Sequence, residues 1–189
     1  MSLTGVDMQP IWWILAVVLI VAIGLLKPLL TGRDSFSGTT LKPGVATLAD
    51  VEQTMGKPAE IWRNEAGQVI QLAYPRGPSG YVSFMVHLSD TGTIDRIEQV
   101  LDEPHFALVL PGMSMPEVLR ILGPARSTNT FPAKNRLYWN YGYCSEHGRR
   151  MEYAIEFDIA TQRVTGHVEV PDPLVNGSES GFCSPWRGR

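Results

Sequence analysis

The chain has 189 residues, a formal net charge of −3 and 44% apolar residues. Behind an apolar leader, that length supports one ordinary domain or two very small ones. The weakly acidic balance offers no basic patch for a nucleic-acid partner, and the two cysteines, Cys144 and Cys183, fall outside any metal-type spacing.

Residues 1–10 read as a short N-terminal tail. Ile11 to Leu26 then run IWWILAVVLIVAIGLL without a polar or charged side chain. At ~1.5 Å per residue the run extended to Leu30 makes a helix of ~30 Å, which predicts a transmembrane helix over 11–30 and a lipid bilayer as partner. Trp12 and Trp13 suit one interface, Lys27 snorkels at the other, and Pro28 kinks or ends the helix there. A cleaved signal peptide is the rival, but the first nine residues carry no Lys or Arg and no small-x-small site follows the run. No cysteine follows it either, which excludes a cleaved lipoprotein. Lys27, Arg33 and Lys42 follow the apolar run that ends at Leu26, so the charge rule places the C-terminal part in the cytoplasm of a single-pass inner-membrane protein. Two free thiols fit that compartment and one disulfide fits a periplasm; the cysteine count leaves both open.

After a polar linker, 31–42, the chain repeats itself weakly. Pro43-Gly44 matches Pro111-Gly112, Val51 matches Val118, Met55-Gly56 matches Leu122-Gly123 and Pro58 matches Pro124. Such offsets suggest two copies of one supersecondary unit, 43–102 and 103–172. Each copy opens with a short helix. Thr47 caps the first, with Asp50 at its third position and Leu48, Val51 and Met55 on one face; Ser114 and Glu117 form a capping box for the second, whose buried face is Val118, Ile121 and Leu122. Gly56 and Gly123 end the helices.

Three strands are predicted in each copy: 68–74, 81–88 and 93–101, then 136–143, 151–158 and 163–170. In the second of these, Tyr81, Ser83, Met85 and His87 alternate with Val82, Phe84, Val86 and Leu88, a pattern with one better-buried face. The stretch 103–110 is a second helix or a linker. The fold class expected is therefore α+β: two tandem units, each a helix on a three-stranded antiparallel meander, behind one N-terminal transmembrane helix.

The order Pro-Gly, short helix, Leu/Met-Gly-x-Pro or Gly-Pro, then the aromatic strand Leu137-Tyr138-Trp139-Asn140-Tyr141, resembles the SmpA/OmlA (BamE) family, whose fold is shared with tandem-repeat β-lactamase inhibitor proteins. The resemblance implies a non-enzymatic adaptor with a periplasmic domain. The chain departs from the family in lacking a lipobox cysteine and in carrying the unit twice. The expectation is an accessory or scaffold subunit that binds an integral membrane protein complex of bacterial envelope assembly or energy conversion. The alternative is an inhibitor or soluble-ligand module of the β-lactamase inhibitor type.

Residues of chemical type are dispersed. His87, His105, His147 and His167 show no His-x3-His spacing, and Cys144 near His147 lacks any oxyanion-hole or third-residue signal, so no catalytic, metal or cofactor residue is assigned. Alternation sets Trp139, Tyr141 and Tyr143 against Tyr138, Asn140 and Gly142; the larger set either fills the core or lines a gripping sheet face. The tail, 173–189, is Pro/Gly/Ser-rich yet holds Phe182 and Trp186. Trp62, Tyr81, Tyr138, Phe182 and Trp186 are the candidate partner anchors.

Overall fold

In the computed structural model, residues 41–77, 80–175 and 182–184 are described. Helix α1 (Leu48–Met55) starts where Thr47 and Asp50 satisfy each other: Asp50 N donates to Thr47 Oγ1 and Thr47 N to Asp50 Oδ2. Four antiparallel strands follow in sequence order: β1 (Glu60–Arg63), β2 (Val69–Pro75), β3 (Ser83–Leu88) and β4 (Ile94–Gln99). A one-turn helix α2 (Glu103–Phe106) leads to helix α3 (Met115–Leu122), where Ser114 N and Oγ both donate to Glu117 Oε2. The second sheet is again a meander: β5 (Ser127–Phe131), β6 (Arg136–Cys144), β7 (Arg150–Asp158) and β8 (Arg163–Pro171).

The two halves share hydrogen bonds as well as element order. Gly44 N donates to Ile94 O and Ile94 N to Ala46 O; correspondingly, Gly112 N donates to Val164 O and Val164 N to Met113 O. In each half the segment before the helix thus pairs with the start of the last strand.

Packing explains why α3 belongs to both halves. Strand register puts Ala73 beside Met85 on one face of the first sheet. Those two side chains share a single buried cluster with Val118 and Leu122 of α3 and with Tyr141, Tyr143, Ile155, Phe157 and Val164 of the second sheet. Phe106 of α2 joins it, stacking on Tyr153 at 4.2 Å and meeting Tyr143 edge-on at 4.9 Å. Gln71 Nε2 donates to Arg120 O, and the Arg120 guanidinium lies 5.7 Å from the Trp62 ring. The other face of the first sheet buries Leu72, Tyr74, Phe84 and Val86. Burial first, then the Glu52 carboxylate of α1, pushes the Tyr74 phenol up to about 12.

Several expectations are corrected. Each sheet has four strands, not three, because β1 and β5 pair along the outer edges of β2 and β6. Strand β3 is buried on both faces rather than one, because α3 covers the face that alternation left open. Helix is a minor part of the described fold: α1 and α3 have 8 residues each and α2 has 4, so the architecture is two four-stranded antiparallel sheets with short helices rather than the expected α+β pair of helix-plus-meander units behind a transmembrane helix. The single-pass membrane architecture is also not what the structure supports. No helix among the described residues is long and apolar enough to cross a membrane; at 8 residues the longest spans ~12 Å. The predicted span at 11–30, with Trp12, Trp13 and Lys27, lies outside the described residues.

Candidate interaction surface

Among the described residues, the second sheet has a core face and an open face that no other helix or strand covers. Trp139, Tyr141 and Tyr143 point to the core, with Tyr141 and Tyr143 almost fully buried, so the larger aromatic set packs inside. Tyr138, Asn140 and Gly142 therefore point outward, and register places Asn129, Glu156, Ala154, Val168 and Val170 on the same face.

One end of this face is aromatic. The rings of Phe131 and Tyr138 meet edge-to-face at 5.8 Å, and Phe131 is 48% exposed. Tyr138 Oη donates to Glu156 Oε2 at 2.6 Å, Thr165 Oγ1 donates to Glu156 Oε1 at 2.7 Å, and Arg136 ion-pairs with the same carboxylate. Arg136 first, then Thr165 and Tyr138, hold the Glu156 carboxyl down at about 2. The hydrogen bond to that carboxylate in turn raises the Tyr138 phenol. The middle of the face is floored by the small buried residues Asn140 and Ala154, with Val168 and Val170 exposed on β8. Asn140 Nδ2 donates to Ser127 Oγ and to Asn129 Oδ1.

The far end is polar. The Arg126 side chain crosses over Gly142 and donates to Asp172 Oδ2 at 2.7 Å and to Glu152 Oε2 at 2.5 Å. Tyr81, from the β2–β3 loop of the first half, donates to Asp172 Oδ2 at 2.8 Å, and the Arg150 guanidinium sits 5.5 Å from its ring. The side chains of Arg126 and Asp172 are 6% and 0% exposed. This buried ion pair is tied down on both sides, so its role is to fix the first half's loop to the rim of the second sheet.

Of the sequence candidates, only Tyr138 stands on the open face. Trp62 packs against the shared core, and Tyr81 is spent on the Asp172 rim. Phe182 is 69% exposed, held through a bridge to Arg149 and through the Cys144–Cys183 disulfide, with Cys183 N donating to Gly148 O. Trp186 lies outside the described residues. Sequence reading missed Phe131, Val168 and Val170. Their signal was weak: a phenylalanine ending a polar run and two valines in an ordinary alternation.

The histidines are less scattered than the sequence suggests. His87 Nε2 lies 2.6 Å from Glu98 Oε1, His105 Nε2 lies 3.9 Å from Glu98 Oε2, and His105 Nδ1 lies 2.5 Å from Asp102 Oδ1. These groups satisfy one another, and Arg96 approaches both His87 and Glu98. Among the described residues no group of three or more His, Cys, Asp or Glu side chains is arranged to hold a metal ion. No family model, curated protein or solved structure matches the chain.

Proposed function

We propose that this protein is a non-catalytic interaction module, an accessory or scaffold subunit that docks a larger protein complex on the open face of its second sheet. The observation that carries the reading is the exposure of Phe131 beside Tyr138 at one end of the face, with Val168 and Val170 exposed along its β8 edge. Aromatic residues flanked by aliphatic ones on a preformed sheet are the composition of interface centres, and rigid strands limit the ordering cost of binding. Two ion pairs of the face, Arg136–Glu156 and Arg126–Asp172, are closed within it, so a partner meets apolar surface with a polar rim. The disulfide supports an oxidising compartment for the described residues, as the BamE-like resemblance implies, rather than the cytoplasm.

A photo-crosslinking amino acid in place of Tyr138 tests the reading, with the same probe in place of Glu52 on α1 as the control. The expected result is one defined adduct in cells from position 138, absent from position 52 and lost when Phe131→Ala is added. Equal labelling from both positions would sink it. Partner affinity should fall by ~2 kcal/mol or more for Tyr138→Ala if Tyr138 is a central anchor.

A further inference from the structure

We infer that β8 is a self-association edge: two copies of this chain join their second sheets by antiparallel pairing centred on Val168, making one continuous eight-stranded sheet. This goes beyond the docking reading, because the backbone edge and not the open face carries it.

Among the described residues, strand β8 pairs along its length with β7 on one side only. Its first residues already accept a second partner, since Gly112 N donates to Val164 O and Val164 N to Met113 O. That edge therefore takes a partner at Val164, ahead of the irregularity at Thr165 where the register with β7 shifts, and from Thr165 to Val170 no strand meets it among the described residues. Natural sheets blunt such edges with charge, proline or short length. The equivalent edge of the first sheet is blunted, with Asp95, Arg96 and Glu98 on β4. Strand β8 is 9 residues long, has proline only at its last position and exposes Val168 and Val170.

The sequence Thr165-Gly166-His167-Val168-Glu169-Val170 specifies the register. A two-fold axis at Val168 sets Val168 against Val168, His167 against the second copy's Glu169, and Gly166 against the second copy's Val170. Each His167 ring then faces a carboxylate that can accept its hydrogen bond, and glycine leaves room for valine on the open face. Centring on His167 or on Glu169 would set like side chains face to face. Registers shifted by one residue would put the core face of one copy against the open face of the other. The side chains are already posed for the chosen register. His167 is held by stacking on Tyr153 at 4.8 Å and 19°, and Tyr143 Oη donates to Glu169 Oε1, which leaves Oε2 free.

The test uses the full chain. Native Cys144 and Cys183 are joined, so Val168→Cys adds the only free thiol. Directly opposed residues in antiparallel strands lie ~4.5–5.5 Å apart at Cα, within the ~4.4–6.8 Å that a disulfide spans. Under mild oxidation Val168→Cys should give a species of twice 20.9 kDa on a non-reducing gel, whereas Val170→Cys, opposite Gly166, should not. Adding Glu169→Lys to Val168→Cys should cut the cross-link about ten-fold, because each His167 then faces a cation instead of a carboxylate that accepts its hydrogen bond. Adding His167→Glu as well should restore it, because each pair across the axis then joins a carboxylate to a cation. Equal cross-linking at 168 and 170, a folded Val168→Cys chain that stays single or joins only another protein, or failure of the double charge exchange to restore the cross-link would each overturn the inference.

Discussion

Gly142 is the place where Arg126 crosses the second sheet: a Cβ at 142 would stand inside the contact distance of the Arg126 guanidinium. The glycine interrupts an otherwise aromatic strand because the ion pair with Asp172 needs its space. Gly142→Ala must either shift the guanidinium or bend β6. It should cost about 1–3 kcal/mol, the usual range for overpacking a rigid site. The urea unfolding midpoint reads this, and a midpoint unchanged from wild type would show that Arg126 is free to move.

Breaking the pair itself should cost more. Asp172→Asn leaves the Arg126 cation buried and half-partnered, and Arg126→Met leaves Asp172 and Glu152 close together without it. Removal of one partner of a buried pair typically costs about 3–5 kcal/mol, whereas Tyr81→Phe should cost only about 1 kcal/mol, one hydrogen bond. Burial raises the Asp172 carboxyl, but the hydrogen bonds from Arg126, Leu174 N and Tyr81 together with the Arg126 charge outweigh it, and the net shift is downward. A depressed folded value stabilises above the ordinary carboxylate range and is lost as the pH falls through the folded value. Wild type should therefore lose stability on acidification below about pH 4 more steeply than Asp172→Asn. Parallel acid-unfolding curves would contradict this assignment.

These relationships also show what a sequence reader can reach. The capping residues Thr47, Asp50, Ser114 and Glu117 act locally, and the structure uses them as the sequence suggests. The outward set Tyr138, Asn140 and Gly142 follows from strict alternation. Strands β1 and β5 escaped because EIWR is short and mixed and STNTF is polar and exposed, so neither shows an apolar period. Burial of Ala73 and Met85 needs α3, which arrives from the other half of the chain. The polar rim joins residues 81, 126, 152 and 172 from separate segments, and no local pattern reports a cluster of that kind.

The histidine pair should make stability depend on pH in two opposed ways. The Asp102 hydrogen bond raises His105, against burial and with help from Glu98. Its contribution is complete below the ordinary histidine value and is lost as the pH rises through the folded value. Burial and the Arg96 charge lower His87, against Glu98 and Asp95. Its contribution is present above the ordinary value and is lost as the pH falls through the folded one. The stability gap between wild type and His105→Gln should therefore narrow from about pH 6 to about pH 8, while the gap for His87→Gln should widen from about pH 5 to about pH 7. Denaturant midpoints across about pH 5–8 measure both. Gaps that do not change with pH would remove both assignments.

The Cys144–Cys183 disulfide closes a loop spanning 39 residues and holds the tail segment at 182–184 against the β6–β7 turn. Loop-closure entropy for that length corresponds to about 4 kcal/mol, with measured values commonly about 2–4 kcal/mol. Cys183→Ser should lower the unfolding midpoint accordingly. A reducing agent should do the same to wild type and nothing further to the variant. An effect of reductant on Cys183→Ser would mean that the thiols act some other way.

Gly56 and Gly123 occupy equivalent helix ends and share one backbone conformation, φ 83 and ψ −160 against φ 73 and ψ −171. That region is essentially restricted to glycine, and a side chain there costs about 1–3 kcal/mol. The surroundings differ. A Cβ at 56 would meet nothing within 4 Å, whereas at 123 it would meet Ser83 Oγ at 3.3 Å and both Ala73 Cβ and Met85 Cε at 3.4 Å. Those three atoms belong to the first sheet, so the close approach at Gly123 is where the two halves press together. Gly56→Ala should therefore cost the backbone strain alone. Gly123→Ala should cost that strain plus about 1 kcal/mol or more for crowding in a packed core. Thermal or urea unfolding of the two single variants gives the comparison directly. If Gly123→Ala proves no worse than Gly56→Ala, then α3 is not pressed against the first sheet as closely as the shared core implies.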